Sequence, residues 1–449
     1  MPLTAVQKSR LSDASSSAVV GSARRLVPHL SDDRWLGKRN RYRALTIDAI
    51  EADDKAHTVR DRQLAEYIAS SAPLHCCDAW SYFGRAIGCH LHGDPNAALH
   101  LAYYAELRAA MSLLGTQGIG IFSNRHFVIK QDGAVVRLCT NKRTHVATWE
   151  VLEAWANLPR AAELLGKVLR PGGRPMSEWV SAIPGGVSWQ PLATDWLVTM
   201  GLDLRLLSKD REARNEASYR PMYLRQCASL PSMDAASVAE EMWHLLEPAP
   251  PLSFGQLDRH LLRLTLEAAV KSTQDTGFLG DPLKFSPLVQ GMVNACVESD
   301  LRHLWTGFLE RSTVSGEADD PRTITLARKV REVTDPDHHV AVMARALLLL
   351  RVASGATRQL LMDSGIGFER LGFWWHPYGV GRGLWDVPPM ASELTNGWAD
   401  FQAALEDLRG WLDRGVTSDT SYRNLLADVP QTMTTLTNME LVGLWSLAS

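Results

Sequence analysis

The sequence predicts a mainly α-helical protein: a helical bundle carrying a small β-hairpin, followed by a second helical lobe. Three observations carry that reading. Apolar residues recur at three- and four-residue spacing along most of the chain, while strand-like patterning is confined to residues 119–138. The clearest helix is bracketed by a good start at Asp94-Pro95 and a good stop at Gly115. Glu247-Pro248-Ala249-Pro250-Pro251 reads as the best linker in the chain and separates two helical sets.

Composition bounds the function classes. A chain of 449 residues with 45% hydrophobic and 22% charged content can bury a sizeable core and exceeds one typical domain. Its formal net charge of -3 provides no global basic field, so nucleic acid could be met only by a local patch. Fifteen Trp residues suit a wide aromatic interior or an interaction surface. Six Cys residues in so long a chain are not a disulfide framework, in keeping with a reducing compartment. The N-terminus lacks the apolar core of a secretion signal, and the greasiest later run, Ala346 to Val352, is interrupted by Arg351. The expected location is therefore the cytoplasm, with no membrane partner.

In chain order, residues 1–43 read as a partly flexible arm, Ser/Ala-rich and then basic at Lys38, Arg39, Arg41 and Arg43. Residues 44–247 form the first helical domain. Leu64, Tyr67 and Ile68 mark one helix, and Trp80, Phe83 and Ile87 mark the next. In the Asp94–Gly115 helix, Leu99, Tyr103, Leu107, Ala110 and Leu114 form a core stripe. Ala98, Ala102, Ala105 and Ala109 form a small-residue face where another helix can approach closely. A third stripe, His100, Tyr104 and Arg108, is polar and needs partners if buried. Strand-like residues and the turn Gln131-Asp132-Gly133 predict the hairpin near 119–138. Helix resumes over Thr148–Leu169, broken near Pro159, and again from Leu192 to Tyr219, where Arg220-Pro221 ends it. The second domain, residues 252–449, carries helices near 253–273, 287–309, 322–332, 338–354 and 391–413, then two short ones.

Chemistry is concentrated in Asp210–Pro221. On a helix Arg211, Arg214 and Ser218 share a face, with Asn215 and Tyr219 beside them, a set suited to a phosphate or a ribose hydroxyl. The same residues also read as a helix end whose arginines pair with Asp210, Glu212 and Glu216. Elsewhere, a zinc site from Cys76, Cys77, Cys89, His90 and His92 is disfavoured because no CxxC is present. His338-His339 reads as a helix start. Gly379 to Gly383 reads as a turn, with neither the preceding strand of a dinucleotide loop nor the Lys-Ser/Thr of a P-loop. Arg370 to His376 makes a poor helix, and Phe373 to Tyr378 reads as core. Neither a metal nor a cofactor is expected.

The pairing of AALHLAYYAELRAAMSLL with a later ARNEASYR helix resembles the HEPN superfamily of helical bundles, including YaaC-like and other defence-associated bacterial proteins. The resemblance spans about residues 60 to 225. In ribonuclease members a helix carries Arg, a polar residue and then His, and paired motifs of a dimer cleave RNA without metal. Arg214 and Asn215 match the start of that motif; Tyr219 or Arg220 stands where His belongs. Tyr titrates near 10 and Arg releases no proton at working pH, so neither replaces the His as acid or base. Arg85 and His90 repeat the spacing on the preceding helix, where His90 could move a proton while Arg85 steadies phosphate charge. The resemblance implies an antiviral defence protein that binds or cleaves RNA, with Arg214, Asn215, His90 and Arg85 catalytic. Arg211, Ser218, Tyr219, Arg220, Arg108, Tyr104 and His100 then bind. The alternative expectation is a non-catalytic subunit. The implied partners are RNA and a second copy of the chain or other protein subunits.

Overall fold

A computed structural model describes residues 3–138, 140–184, 189, 204–219, 233–248, 254–273, 278–311, 320–328, 337–414 and 427–448. The protein is mainly helical, with one small antiparallel sheet. Its first half contains α1 (Ala5–Ser12), α2 (Ser16–Arg24), α3 (Val27–Leu30), α4 (Thr46–Ala56), α5 (Asp61–Leu91) and α6 (Pro95–Thr116). Strands β1 (Ile119–Phe122), β2 (Arg125–Ile129) and β3 (Val135–Arg137) follow, then α7 (Thr144–Ala156), α8 (Pro159–Val168), α9 (Met176–Ser181), α10 (Leu204–Tyr219) and α11 (Met233–Leu245). Beyond the proline-rich stretch come α12 (Gly255–Thr273), α13 (Pro282–Cys296), α14 (Arg302–Leu309), α15 (Arg322–Arg328) and α16 (His338–Asp363). The chain closes with α17 (Gly372–Arg382), α18 (Trp398–Asp413), α19 (Pro430–Thr437) and α20 (Glu440–Ala448).

The antiparallel pair α5 and α6, with α16 laid across both, is the centre of the molecule. Helix α6 starts as its sequence dictates: Asp94 Oδ1 accepts from the Ala97 N–H at 2.9 Å, and Pro95 takes the first turn, where its missing N–H costs nothing. Ala98, Ala102, Ala105 and Ala109 are all fully buried, so the small-residue face is the one that lets neighbours close in. The helix ends later than expected. Gly115 stays helical because it lies against Ala72 of α5, where an added Cβ would meet the Ala72 Cβ at 3.4 Å. Gly118 supplies the left-handed backbone instead, at φ +81.

Other boundaries moved for similar reasons. The two helices expected between residues 61 and 91 are one, continuous through the buried Pro73. Proline inside a helix costs about 3 kcal/mol, and the buried residues that flank it on both sides outweigh that. The hairpin is a three-stranded meander in the order β1-β2-β3, with Ile119 opposite Val128 and Val128 opposite Val136. The run 287–309 is two helices, α13 and α14. Gly372 to Arg382, expected as a poor helix followed by a turn, is helix α17, and only Gly383, at φ +69, leaves the helical region. Trp375 in α17 is buried and stacks on Phe368, as a core reading requires.

Within the expected N-terminal arm, three short helices are packed against the rest of the protein. Helices α1 to α3 bury Leu11, Val19, Leu26 and Leu30, and Tyr42, amid the basic run, is fully buried with its hydroxyl on Asp53 at 3.0 Å. Buried side chains from both sides of the proline-rich stretch form one cluster. Helix α16 is long and apolar enough to cross a membrane, a length that the expected 338–354 helix understated, but 94% of its apolar window is buried among its neighbours. Six of the Trp residues, Trp80, Trp155, Trp179, Trp243, Trp375 and Trp445, are fully buried, which assigns much of the Trp content to the interior.

Candidate functional site

The polar stripe of α6 finds its partners on α10 and α5. Helix α10 packs on α6 and α7, which brings Arg214 over two tyrosine rings, 5.3 Å from the Tyr103 centroid and 5.2 Å from that of Tyr104. One guanidinium N–H donates to Tyr104 Oη at 3.1 Å and another to Asn215 Oδ1 at 2.9 Å. Arg214 thus turns to aromatic rings and an amide rather than to the carboxylates of its own helix. Arg211 does pair with Glu212, at 3.6 Å on the surface.

His100 lies at the same place. Its Nδ1 is 2.8 Å from Ser218 Oγ, one turn after Arg214, and its ring packs at 5.1 Å against Tyr104. The Ser218 hydroxyl donates to the Arg214 carbonyl at 2.8 Å, which uses its only proton. Ser218 therefore accepts from His100, the imidazole carries its hydrogen on Nδ1, and Nε2 holds a lone pair. Burial, and then the Arg214 charge, hold the His100 pKa below its ordinary value, so the ring is neutral at pH 7. A neutral imidazole with a lone pair on Nε2 is a proton acceptor.

The aromatic contacts extend the cluster to α5 and α7. Tyr104 stacks on Tyr82 at 5.4 Å and 27°, and Tyr82 carries Arg85 over its ring at 4.6 Å. The stacked pair therefore bears one guanidinium on each ring, each contributing about 0.5–2 kcal/mol of cation–π attraction. On the other side Tyr103, fully buried, meets His145 Nδ1 through its hydroxyl at 3.0 Å. Burial, with the charges of Arg214, Arg211 and Arg108 behind it, lowers the His145 pKa. Further along α6, Arg108 donates to His75 Nδ1 at 3.0 Å. Burial and that cation push the His75 pKa down to about 3, which leaves the imidazole a permanent acceptor.

Beneath this surface a buried ion pair fixes α10. Asp210, one turn before Arg214, accepts from Arg345 of α16 through both oxygens, at 2.8 and 2.7 Å, with both side chains almost completely buried. His338 Nε2 lies 3.7 Å from the same carboxylate. Glu106 of α6 is fully buried beside it; burial first, and the Asp210 charge second, hold its pKa well above the carboxylate range. Glu106 therefore keeps its proton to higher pH than an ordinary carboxyl does.

Of the expected residues, Arg214, Asn215, Ser218, His100 and Tyr104 converge, Arg85 joins through Tyr82, and Arg211 lies on the same helix. Arg108 sits one turn beyond Tyr104. His90 lies elsewhere: it is buried and turned toward α16, with Nδ1 2.9 Å from His339 Nε2, while Arg85 is exposed and folds back on Ser81. Five residues along a helix is about 140° of rotation, which is why spacing alone paired two side chains that diverge. The Tyr219 side chain and Arg220 lie outside the described residues. Sequence reasoning missed Tyr82, His75, His145 and the Asp210–Arg345 pair. Tyr82 was the most legible of these, seven residues after His75 and three before Arg85 on one face of α5. Among the described residues no group of three or more His, Cys, Asp or Glu is arranged to hold a metal. Comparison with family models, with curated proteins and with solved structures found no match.

Proposed function

We propose that this chain binds RNA at the α5–α6–α10 face and cleaves it as a metal-independent ribonuclease. The observation that carries the reading is the meeting of His100 and Arg214 across Ser218 and Tyr104, which puts a neutral proton acceptor and a fixed cation on one small surface. His100 Nε2 takes the proton of a ribose 2′-hydroxyl as that oxygen attacks the adjacent phosphorus. Arg214 steadies the phosphorane charge, and the amide NH2 of Asn215 orients the ribose. The bond from phosphorus to the 5′ oxygen breaks, and water protonates the leaving oxygen. The products are a 2′,3′-cyclic phosphate and a 5′-hydroxyl. His100 takes the role that the sequence reading gave to His90, and it comes from α6, not from the helix that carries Arg214. The place of the chain in antiviral defence rests on the HEPN resemblance alone.

The test is cleavage of a labelled single-stranded RNA by the full chain. Wild type is expected to release cyclic-phosphate ends, and His100→Ala to cut about 10²–10⁴-fold more slowly, the usual worth of a general base. A 2′-deoxy nucleotide at the scissile position blocks cleavage. RNA binding without cleavage by wild type moves the chain to the second reading, a non-catalytic interaction subunit. That reading is favoured by the number of contacts Arg214 already makes, to Asn215, Tyr104 and two rings. Absence of both binding and cleavage removes RNA from the account.

A further inference from the structure

A second cluster of cations lies where α12 meets α14. Arg259 of α12 lies over two rings of α14, 5.0 Å from the Trp305 centroid and 4.1 Å from that of Phe308. Arg311, just beyond α14, shares the Phe308 ring at 4.2 Å. The rings are braced from behind: Trp305 packs at 5.0 Å on Trp179 of α9 and lies against Gly172, where an added Cβ would meet it at 2.9 Å. These charges are not neutralised. Arg263, one turn on from Arg259, is buried and takes two carboxylates, Glu267 at 2.6 Å and Asp320, which also lies 3.9 Å from His260 Nδ1. Arg263 also donates to the Arg311 carbonyl at 3.2 Å, which fixes the backbone there. Arg259 donates to the Leu304 carbonyl at 2.8 Å and Arg311 to the Phe308 carbonyl at 3.3 Å. A guanidinium has five N–H donors, so most are left over, and among the described residues neither Arg259 nor Arg311 pairs with a carboxylate. The C-terminal end of α14 offsets only about half a charge. His260, edge-on to Phe308 at 5.0 Å, reports the surplus: burial, then the charges of Arg263, Arg311 and Arg259, push its pKa down to about 3.

We propose that Arg259 and Arg311 form a binding site for a phosphomonoester, either free phosphate or the terminal phosphate of an organic ligand. The site does not rest on the RNA reading. Both guanidinium carbons lie within 4.2 Å of one ring centre, near enough for one phosphate to accept from both, at N–O distances of about 2.7–2.9 Å. Two like charges held that close repel, and stacking on a ring attracts each cation without neutralising it. A phosphomonoester carries about -1.5 to -2 at pH 7, which answers two guanidiniums, and it presents three terminal oxygens to their forks. A phosphodiester or a carboxylate brings one charge only. Phe308 favours the same occupant: its face holds the cations and its edge is positive, so an anion at the rim of the ring is not repelled by it. All four side chains, Arg259, Arg311, Trp305 and Phe308, are half-buried, which leaves the guanidiniums reachable from solvent. Because rings and carbonyls already pin both arginines, little side-chain freedom is lost on binding.

Titration calorimetry of the full chain at constant ionic strength tests the site, with inorganic phosphate, phenyl phosphate, dimethyl phosphate and acetate as probes. The first two are expected to bind at one site, and the last two more weakly. Tighter binding of inorganic phosphate identifies a free phosphate as the occupant, and tighter binding of phenyl phosphate identifies the end of an organic ligand; either supports the site. Arg311→Gln is expected to weaken phosphate about 10–100-fold, the worth of charge-assisted hydrogen bonds. Arg311→Lys keeps the charge and loses the planar fork, so its affinity should fall between the two, and an unchanged helical circular dichroism separates that loss from unfolding. A wild-type chain that takes up neither phosphate probe overturns the site. Phosphate affinity unchanged in Arg311→Gln but lost in Arg214→Ala also overturns it, and assigns the phosphate to the α5–α6–α10 face. Dimethyl phosphate or acetate bound as tightly as phosphate overturns the phosphomonoester assignment.

Discussion

Glu106 shows how one residue can tie the site to the core. Its carboxyl sits in the interior beside the Asp210 carboxylate, and two carboxylates that close cannot both ionise. A group whose folded pKa is raised contributes stability that is fully present below its unfolded pKa, near 4.3, and is lost as pH rises toward the folded value. The protein is therefore expected to lose stability with rising pH above about 4.3 through this group. Glu106→Gln should flatten that fall and raise stability at pH 8 relative to wild type. Urea unfolding at pH 5 and pH 8 measures it; equal pH dependence in both proteins would contradict a raised Glu106 pKa. His75 acts in the opposite sense, because its depressed pKa contributes stability that is present above 6.5 and lost as pH falls toward about 3.

At the scale of elements, α10 is a helix held at two points on adjacent turns. Asp210 is held inward by Arg345, and Arg214 is laid on Tyr103 and Tyr104. Arg214 and Ser218 meet Tyr104 and His100 of α6, partners on another helix that periodicity within one helix cannot name. Arg345→Ala leaves Asp210 buried and uncompensated, and is expected to cost about 3–5 kcal/mol. Because α10 carries Arg214 and Ser218, the same change should weaken the proposed RNA binding before the fold is lost. Denaturant midpoints read alongside oligonucleotide affinity check this: a stability loss with affinity intact would show that α10 does not depend on its inner anchor. Helix α5 makes the complementary point. Gly84 lies against the carbonyl of Thr437, where a Cβ would come within 2.2 Å, so a glycine in mid-helix marks where the C-terminal helices cross.

At the scale of the whole molecule, α16 and α20 from the second half pack on α5 from the first, and Trp445 lies within the aromatic group of Trp398 and Phe401. Unfolding is therefore expected as one transition, with tryptophan fluorescence and helical circular dichroism coincident in urea. Two separated transitions would show that the proline-rich stretch divides independent units. The sequence by itself determined the mainly helical class, the start and core faces of α6, and the place of the small sheet. Those features follow from caps, periodicity and turn residues, which act over a few positions along the chain. Only the tertiary structure decided that Pro73 does not break α5, that His100 and not His90 stands by Arg214, and that Asp210 belongs to Arg345. Each of those outcomes depends on a neighbour 100 or more residues away or on burial summed over several helices, and local spacing carries no record of either.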